Sequence, residues 1–261
     1  DDVLLGNLTV RECLKYAAWL RIDSSVSWKD KQLRIQNVAE ELGLIKCLDT
    51  YVGVPGVTKG ISGGERKRLS IAIELLTEPS ILFLDEPTTG LDSRTAQNVM
   101  ETIGKIAKNG RAVVLTIHQP RSNIFKMFDK LLLLSRGRVA YFGPAQAATT
   151  YFAQIPPIDP RNPEMFKCPS DFNPSDFLID LITETTSLTD TGKEQKMLDN
   201  KRINYILDYT GRIVYEPPSL DADLVTNLKF SPYRTNWFVQ LFVILIRSFV
   251  SIMRDRVLTM A

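Results

Sequence analysis

Residues 81–87 read Ile-Leu-Phe-Leu-Asp-Glu-Pro. Four apolar residues run without interruption into two adjacent carboxylates and a proline. A short apolar run bounded this way reads as a strand buried on both faces, as in a parallel sheet. Open α/β sheets bind ligands at the C-terminal ends of their strands. Asp85 and Glu86 therefore stand at a candidate site. Two solvated loop acids would fit the abrupt apolar-to-acidic edge less well.

Downstream, Ala112–Ile117 is a second run of the same kind. It ends at His118-Gln119-Pro120, and His118 is the only histidine in the chain. A lone histidine is usually structural, but at this strand end it would point into the crevice that holds Asp85 and Glu86. Between the two runs, Asp92 is placed to cap a helix reaching Lys108, which Asn109-Gly110 ends. Upstream, Ser62-Gly63-Gly64-Glu65 has capping-box spacing, so a helix begins near Gly63. Two glycines there leave N–H groups bare at the positive end of the helix dipole, a combination that binds phosphate. A plain capped helix after a flexible turn fits the same residues.

Strands alternating with helices imply an α/β fold with a mostly parallel sheet. Thr9 and Glu12 form a second capping box, with Leu8 and Cys13 placed for a hydrophobic staple, before a helix over Val10–Arg21. Another helix is expected over Trp28–Leu42, stopped by Gly43. Lys130–Leu134 and Arg138–Phe142 flank the glycine turn Ser135-Arg136-Gly137, a hairpin. Helices are expected over Ala145–Ile155 and Ser175–Ile182. The polar stretch 183–232 reads as linker, with one helix near Lys193–Leu207.

Trp237–Met253 is the most apolar segment, broken by Gln240 and Arg247. It falls short of the roughly 20 apolar residues a spanning helix needs. An amphipathic interface helix leading toward a membrane segment is one reading, and Trp237 with Arg254 and Arg256 suits it. A buried core helix is the other.

With 32 basic and 30 acidic side chains the net charge is +2, which argues against a broad nucleic-acid surface. The three cysteines, Cys13, Cys47 and Cys168, are odd in number and far apart, and read as reduced thiols, not as a disulfide or zinc framework.

Together, ISGGE, ILFLDEP, TGLD and His118 resemble the signature motif, Walker B, D-loop and switch histidine of the ABC transporter nucleotide-binding domain. ISGGERKRLSIAIELL, DEPTTGLDS, TIHQPRSNIF, YFGPA and NPSDF are similar to the wording of subfamily G, the white/pigment-transporter and sterol-exporter group. The resemblance covers residues 1–182 and, more loosely, 233–261.

It implies a P-loop NTPase-like ABC ATPase domain over 1–182, with a mostly parallel, incomplete sheet and a helical subdomain at about 8–78. A linker over 183–232 and an amphipathic connecting helix over 233–261 would follow. It implies ATP and Mg²⁺ as cofactors, with Asp85 on the metal and Glu86 and His118 catalytic. Ser62, Gly63, Gly64, Glu65 and Asp92 would contact nucleotide. The partners implied are a second nucleotide-binding domain, identical or different, the protein's own transmembrane domain, the membrane and a hydrophobic small molecule. The region would lie on the cytoplasmic face. No GxxxxGK[ST] occurs. The phosphate-binding loop is therefore expected before Asp1 and the transmembrane helices after Ala261, and this piece alone is expected not to hydrolyse ATP. A soluble ABC ATPase of DNA repair or translation, or a module that senses ATP without turnover, are the competing readings.

Overall fold

The computed structural model describes residues 4–54, 56–184, 190–211 and 235–254. They fall into two compact units, one of the described residues up to Ile117 with 235–254, the other from His118 onward.

The first unit opens with α1 (Val10–Arg21). Its capping box forms as the spacing predicts: Glu12 N donates to Thr9 Oγ1 at 3.2 Å and Thr9 N to Glu12 Oε2 at 2.9 Å. Leu8 and Cys13 are both buried. Then come α2 (Trp28–Glu41), with Gly43 just beyond it at φ +64°, and α3 (Gly63–Leu75). Helix α4 (Ser93–Lys108) buries Ala96, Val99, Met100, Ile103 and Ile106, a stripe with helical spacing. It is the crossover between two parallel strands, β1 (Ile81–Leu84) and β2 (Ala112–Leu115), paired from Ile81 opposite Ala112 to Leu84 opposite Leu115.

The expectation that these strands are buried on both faces needs correction. Leu82 is 4% exposed, but Phe83 on the opposite face is 74% exposed, with Ile81 and Val114 beside it also exposed. Side chains alternate along a strand. One face of this pair is thus covered, and the other is bare among the described residues.

Helix α9 (Trp237–Met253) also belongs to this unit and packs against α1. Asn236 caps it by accepting from Phe238 N at 3.1 Å. Asn7 Nδ2 donates to the carbonyl and hydroxyl oxygens of Ser251, both at 2.7 Å. Only Val243 is fully buried, while Trp237, Phe238, Phe242, Leu245 and Phe249 are exposed. The buried-core reading of this helix fails. No helix among the described residues is long and apolar enough to cross a membrane.

In the second unit β3 (Lys130–Ser135) and β4 (Arg138–Pro144) form the expected hairpin. Its two loop residues, Arg136 and Gly137, have φ of +50° and +71°, matching the twist that short hairpin loops require. Short helices α5 (Ser122–Phe125) and α6 (Ala148–Ala153), then α7 (Pro174–Ile182) and α8 (Asp190–Thr210), complete the unit. The helix expected over Ala145–Ile155 opens as a 3₁₀ turn at Ala145–Ala147 and is α-helical over Ala148–Ala153. Phe125, Phe152, Phe166, Leu178 and Ile206 meet in its core.

Part of the stretch read as linker is structural. Helix α8 packs against β4 and fully buries Ile203, Ile206 and Leu207. It is the helix expected near Lys193–Leu207, longer at both ends, and three apolar residues at i, i+3 and i+4 anchor it. Residues 185–189 and 212–232 of that reading lie outside the described residues.

Candidate functional site

Asp85 and Glu86 follow directly on β1 and are exposed. Thr116, one residue past β2, continues the ladder through Thr116 N to Leu84 O at 3.0 Å. That register sets its hydroxyl between the two acids. Thr116 Oγ1 donates to Asp85 Oδ1 at 2.5 Å and accepts from Glu86 N at 3.0 Å. Glu86 has φ +44°, a left-handed backbone that a non-glycine residue holds only when its surroundings fix it. Its carboxylate Oε2 accepts from Thr89 Oγ1 at 2.8 Å.

Ser62 caps α3. Glu65 N donates to Ser62 Oγ at 3.3 Å, and Ser62 N donates back to Glu65 Oε2 at 2.8 Å. Burial pushes the Glu65 carboxyl up, but hydrogen bonds from Ser62 outweigh it and hold the group below its ordinary range. Gly64 is buried because α4 leaves no room: a Cβ there would lie 2.3 Å from Thr95 Cγ2. Gly63 is exposed, and a Cβ on it would meet only Leu91 Cδ2, at 3.2 Å. Asp92 caps α4, its Oδ1 accepting from Arg94 N and Thr95 N, both at 3.1 Å. A hydrogen bond from the Thr95 side chain, and then these amide bonds, hold its carboxyl low. A pocket of about 350 Å³ lies here, lined among others by Gly60, Gly63, Arg66, Thr89 and Gly90. Arg66 shapes its wall by donating to Val52 O at 3.0 Å and Gly53 O at 2.8 Å.

Two groupings therefore exist within the first unit. Asp85, Glu86 and Thr116 form one. Ser62, Gly63, Gly64 and Glu65 meet the start of α4, which Asp92 caps, at Leu91 and Thr95 in the other. Thr89 touches both, as partner of Glu86 and wall of the pocket.

His118 is exposed and opens the second unit, three residues past β2. The chain after it is tied down. Pro120 O accepts from Ser175 Oγ at 2.5 Å and from Asn173 Nδ2 at 3.1 Å. Ser122 Oγ donates to Asn173 Oδ1 at 2.8 Å.

Residues 1–89 match the family described as ABC transporter, and residues 118–213 that described as ABC-2 type transporter. Protein white of Drosophila melanogaster is 36% identical over 260 residues, covering 99% of this chain and 36% of that protein. The broad substrate specificity ATP-binding cassette transporter ABCG2 of Bos taurus is 48% identical over 194 residues, 74% of this chain and 28% of that protein. ABC transporter G family member 26 of Arabidopsis thaliana is 49% identical over 187 residues, 72% of this chain and 26% of that protein. The chain belongs to the ABC transporters of subfamily G.

This ABC transporter chain spans 36% or less of the length of these curated relatives. Thr116 and Thr89 are the two site neighbours that reading the sequence misses. The available signal was the strand register: once Leu84 pairs with Leu115, the next step brings Thr116 beside Asp85.

Proposed function

We propose that this subfamily G chain is the ATP-binding and ATP-hydrolysing part of a membrane transporter that exports a lipid, sterol or other hydrophobic small molecule. The observation that carries the reading is the acidic pair at the end of β1, held in place by a hydroxyl from β2. Asp85 is the residue to hold Mg²⁺. That ion keeps several waters and takes one or two carboxylates plus phosphate oxygens. A single exposed carboxylate therefore suits it; among the described residues no three His, Cys, Asp or Glu cluster into a protein-only cage. When bound, the ion neutralises phosphate charge.

Glu86 orients the attacking water and takes its proton, and His118 contacts the terminal phosphate. Ser62, Gly63, Gly64 and Glu65 present the tip of α3 to a nucleotide held by a second nucleotide-binding domain, on an identical or a different chain. Asp92 holds the loop beside that tip. Residues 1–182 form the ATP-binding domain and 233–261 the connecting helix. The bare apolar flank of α9 suits a membrane interface on the cytoplasmic side, next to the protein's own transmembrane domain. The name of the ABCG2 relative, an ATP-binding cassette transporter of broad substrate specificity, supports ATP binding and transport. In the full-length protein Glu86→Gln is expected to abolish turnover while ATP still binds. Unchanged hydrolysis would remove Glu86 as the base.

A further inference from the structure

We propose that Thr116 is a positioning residue for ATP hydrolysis: through one hydroxyl it fixes Asp85 and Glu86 relative to each other. The proposal rests on the reading of Asp85 and Glu86 given above and adds a residue that reading does not use.

Three observations carry it. The Thr116 hydroxyl is engaged twice by the site, donating its single proton to Asp85 Oδ1 at 2.5 Å and accepting from Glu86 N at 3.0 Å. Thr116 itself is fixed, because its own N–H extends the β1–β2 ladder to Leu84 O at 3.0 Å. The residue it holds is strained: Glu86 sits at φ +44° directly before Pro87. A residue before proline is pushed toward extended backbone, so Glu86 keeps this conformation only with outside support. The bond from Glu86 N to Thr116 supplies that support at the peptide whose rotation would swing the Glu86 carboxylate. An exposed threonine at a strand end has no packing reason to engage the Asp85 carboxylate and the Glu86 amide. The bridge also joins the two strand ends, so a shift of β2 is transmitted to the Asp85 carboxylate and the Glu86 backbone together.

The test compares Thr116→Val, Thr116→Ser and Glu86→Gln in the full-length protein in lipid nanodiscs. Valine keeps the β-branched shape and strand preference and removes only the hydroxyl. Orienting partners of this kind cost about 10–100-fold when removed. T116V is therefore expected to lower kcat for Mg·ATP by about 10–100-fold, with KM for ATP unchanged. Affinity for Mn²⁺ in the ATP-bound protein should fall, and the Glu86 amide should exchange faster in nucleotide-free protein. T116S should restore all three. Parental turnover together with parental Glu86 exchange in T116V overturns the proposal. So does a T116S protein as impaired as T116V, since shape and not the hydroxyl would then matter. Should T116V not fold, Thr116→Ala against T116S gives the same comparison. Glu86→Gln separates the two ideas. If it hydrolyses ATP like the parent, the assignment of Glu86 fails, and amide exchange and Mn²⁺ affinity still decide the role of Thr116.

Discussion

Arg254, the residue after α9, closes a two-point ion pair on Glu12 near the start of α1, with contacts of 2.7 and 2.9 Å. Glu12 Oε2 also accepts from Thr9 N at 2.9 Å, so one carboxylate both caps α1 and anchors α9. The hydrogen bond from Arg254 is the main reason its carboxyl lies below the ordinary 4.5.

Removing either partner should therefore have unequal effects. Both side chains are partly exposed, at 35% for Arg254 and 25% for Glu12, so the pair itself is worth at most about 1 kcal/mol. Arg254→Ala is expected to cost that much or less. Glu12→Ala also opens the capping box and should cost about 1 kcal/mol more. A depressed carboxyl stabilises the fold above its unfolded pKa, and that contribution is lost as pH falls through the folded value. The advantage of the parent over Arg254→Ala should hold at neutral pH and vanish in acid, below about 4.5. Urea titrations across that range check it, and an Arg254→Ala protein equally stable at pH 7 would show the pair to be idle.

The two glycines that open α3 should differ sharply. A methyl on Gly64 would lie 2.3 Å from Thr95 Cγ2, on a stiff β-branched side chain of α4. Gly64→Ala is expected to destabilise by about 1–3 kcal/mol, the usual cost of overpacking. Thr95→Ser deletes the opposing methyl and should recover most of the loss. Gly63→Ala meets only the end of Leu91 and should be mild. Thermal unfolding of the single and double variants decides it, and a double variant no better than Gly64→Ala alone would mean the clash lies elsewhere.

These contrasts mark what the sequence makes legible. Caps and apolar stripes are local, so Thr9–Glu12, Ser62–Glu65, Asp92 and the buried face of α4 read directly from spacing. Cross-strand facts are not local. Nothing in Ile-Leu-Phe-Leu distinguishes a strand covered on two faces from one covered on a single face, and Phe83 is bare. The role of Thr116 depends on a register between residues 30 apart or more. The helix expected near Lys193–Leu207 is present as α8, but that it packs into a core through Ile203, Ile206 and Leu207 depends on β4, far from it along the chain.

Burial pushes the Cys13 thiol from 9.0 up to about 12, while Cys168 is only partly buried. At neutral pH a maleimide should label Cys168 first and reach Cys13 and Cys47 only on unfolding. A thiol whose pKa is raised by folding stabilises the native state fully below its unfolded pKa. That contribution declines as pH climbs from about 9 toward 12. Stability of the parent should therefore drop more steeply above pH 9 than that of Cys13→Ala, whatever their difference at pH 7. Parallel curves would mean the thiol is wetter than its burial indicates.

The segment that carries His118 depends on side chains far along the chain. Gln119 holds φ +44°, and the next carbonyl, Pro120 O, accepts from both Ser175 and Asn173 at the start of α7. Ser175 is 4% exposed, so its bond forms away from water. Removing one donor leaves the other in place, and a typical bond of this kind contributes about 1 kcal/mol. Ser175→Ala alone should loosen residues 118–122 slightly. Asn173→Ala with Ser175→Ala strips both donors and also the partner of Ser122. A buried acceptor left unpaired costs about 1–3 kcal/mol, which the chain can escape only by moving. Hydrogen exchange over residues 118–125 should accelerate far more in the double variant than the two singles together predict, while β3 and β4 keep their protection. If exchange there is unchanged, the backbone around His118 is held by its own local conformation, and α7 has no part in placing it.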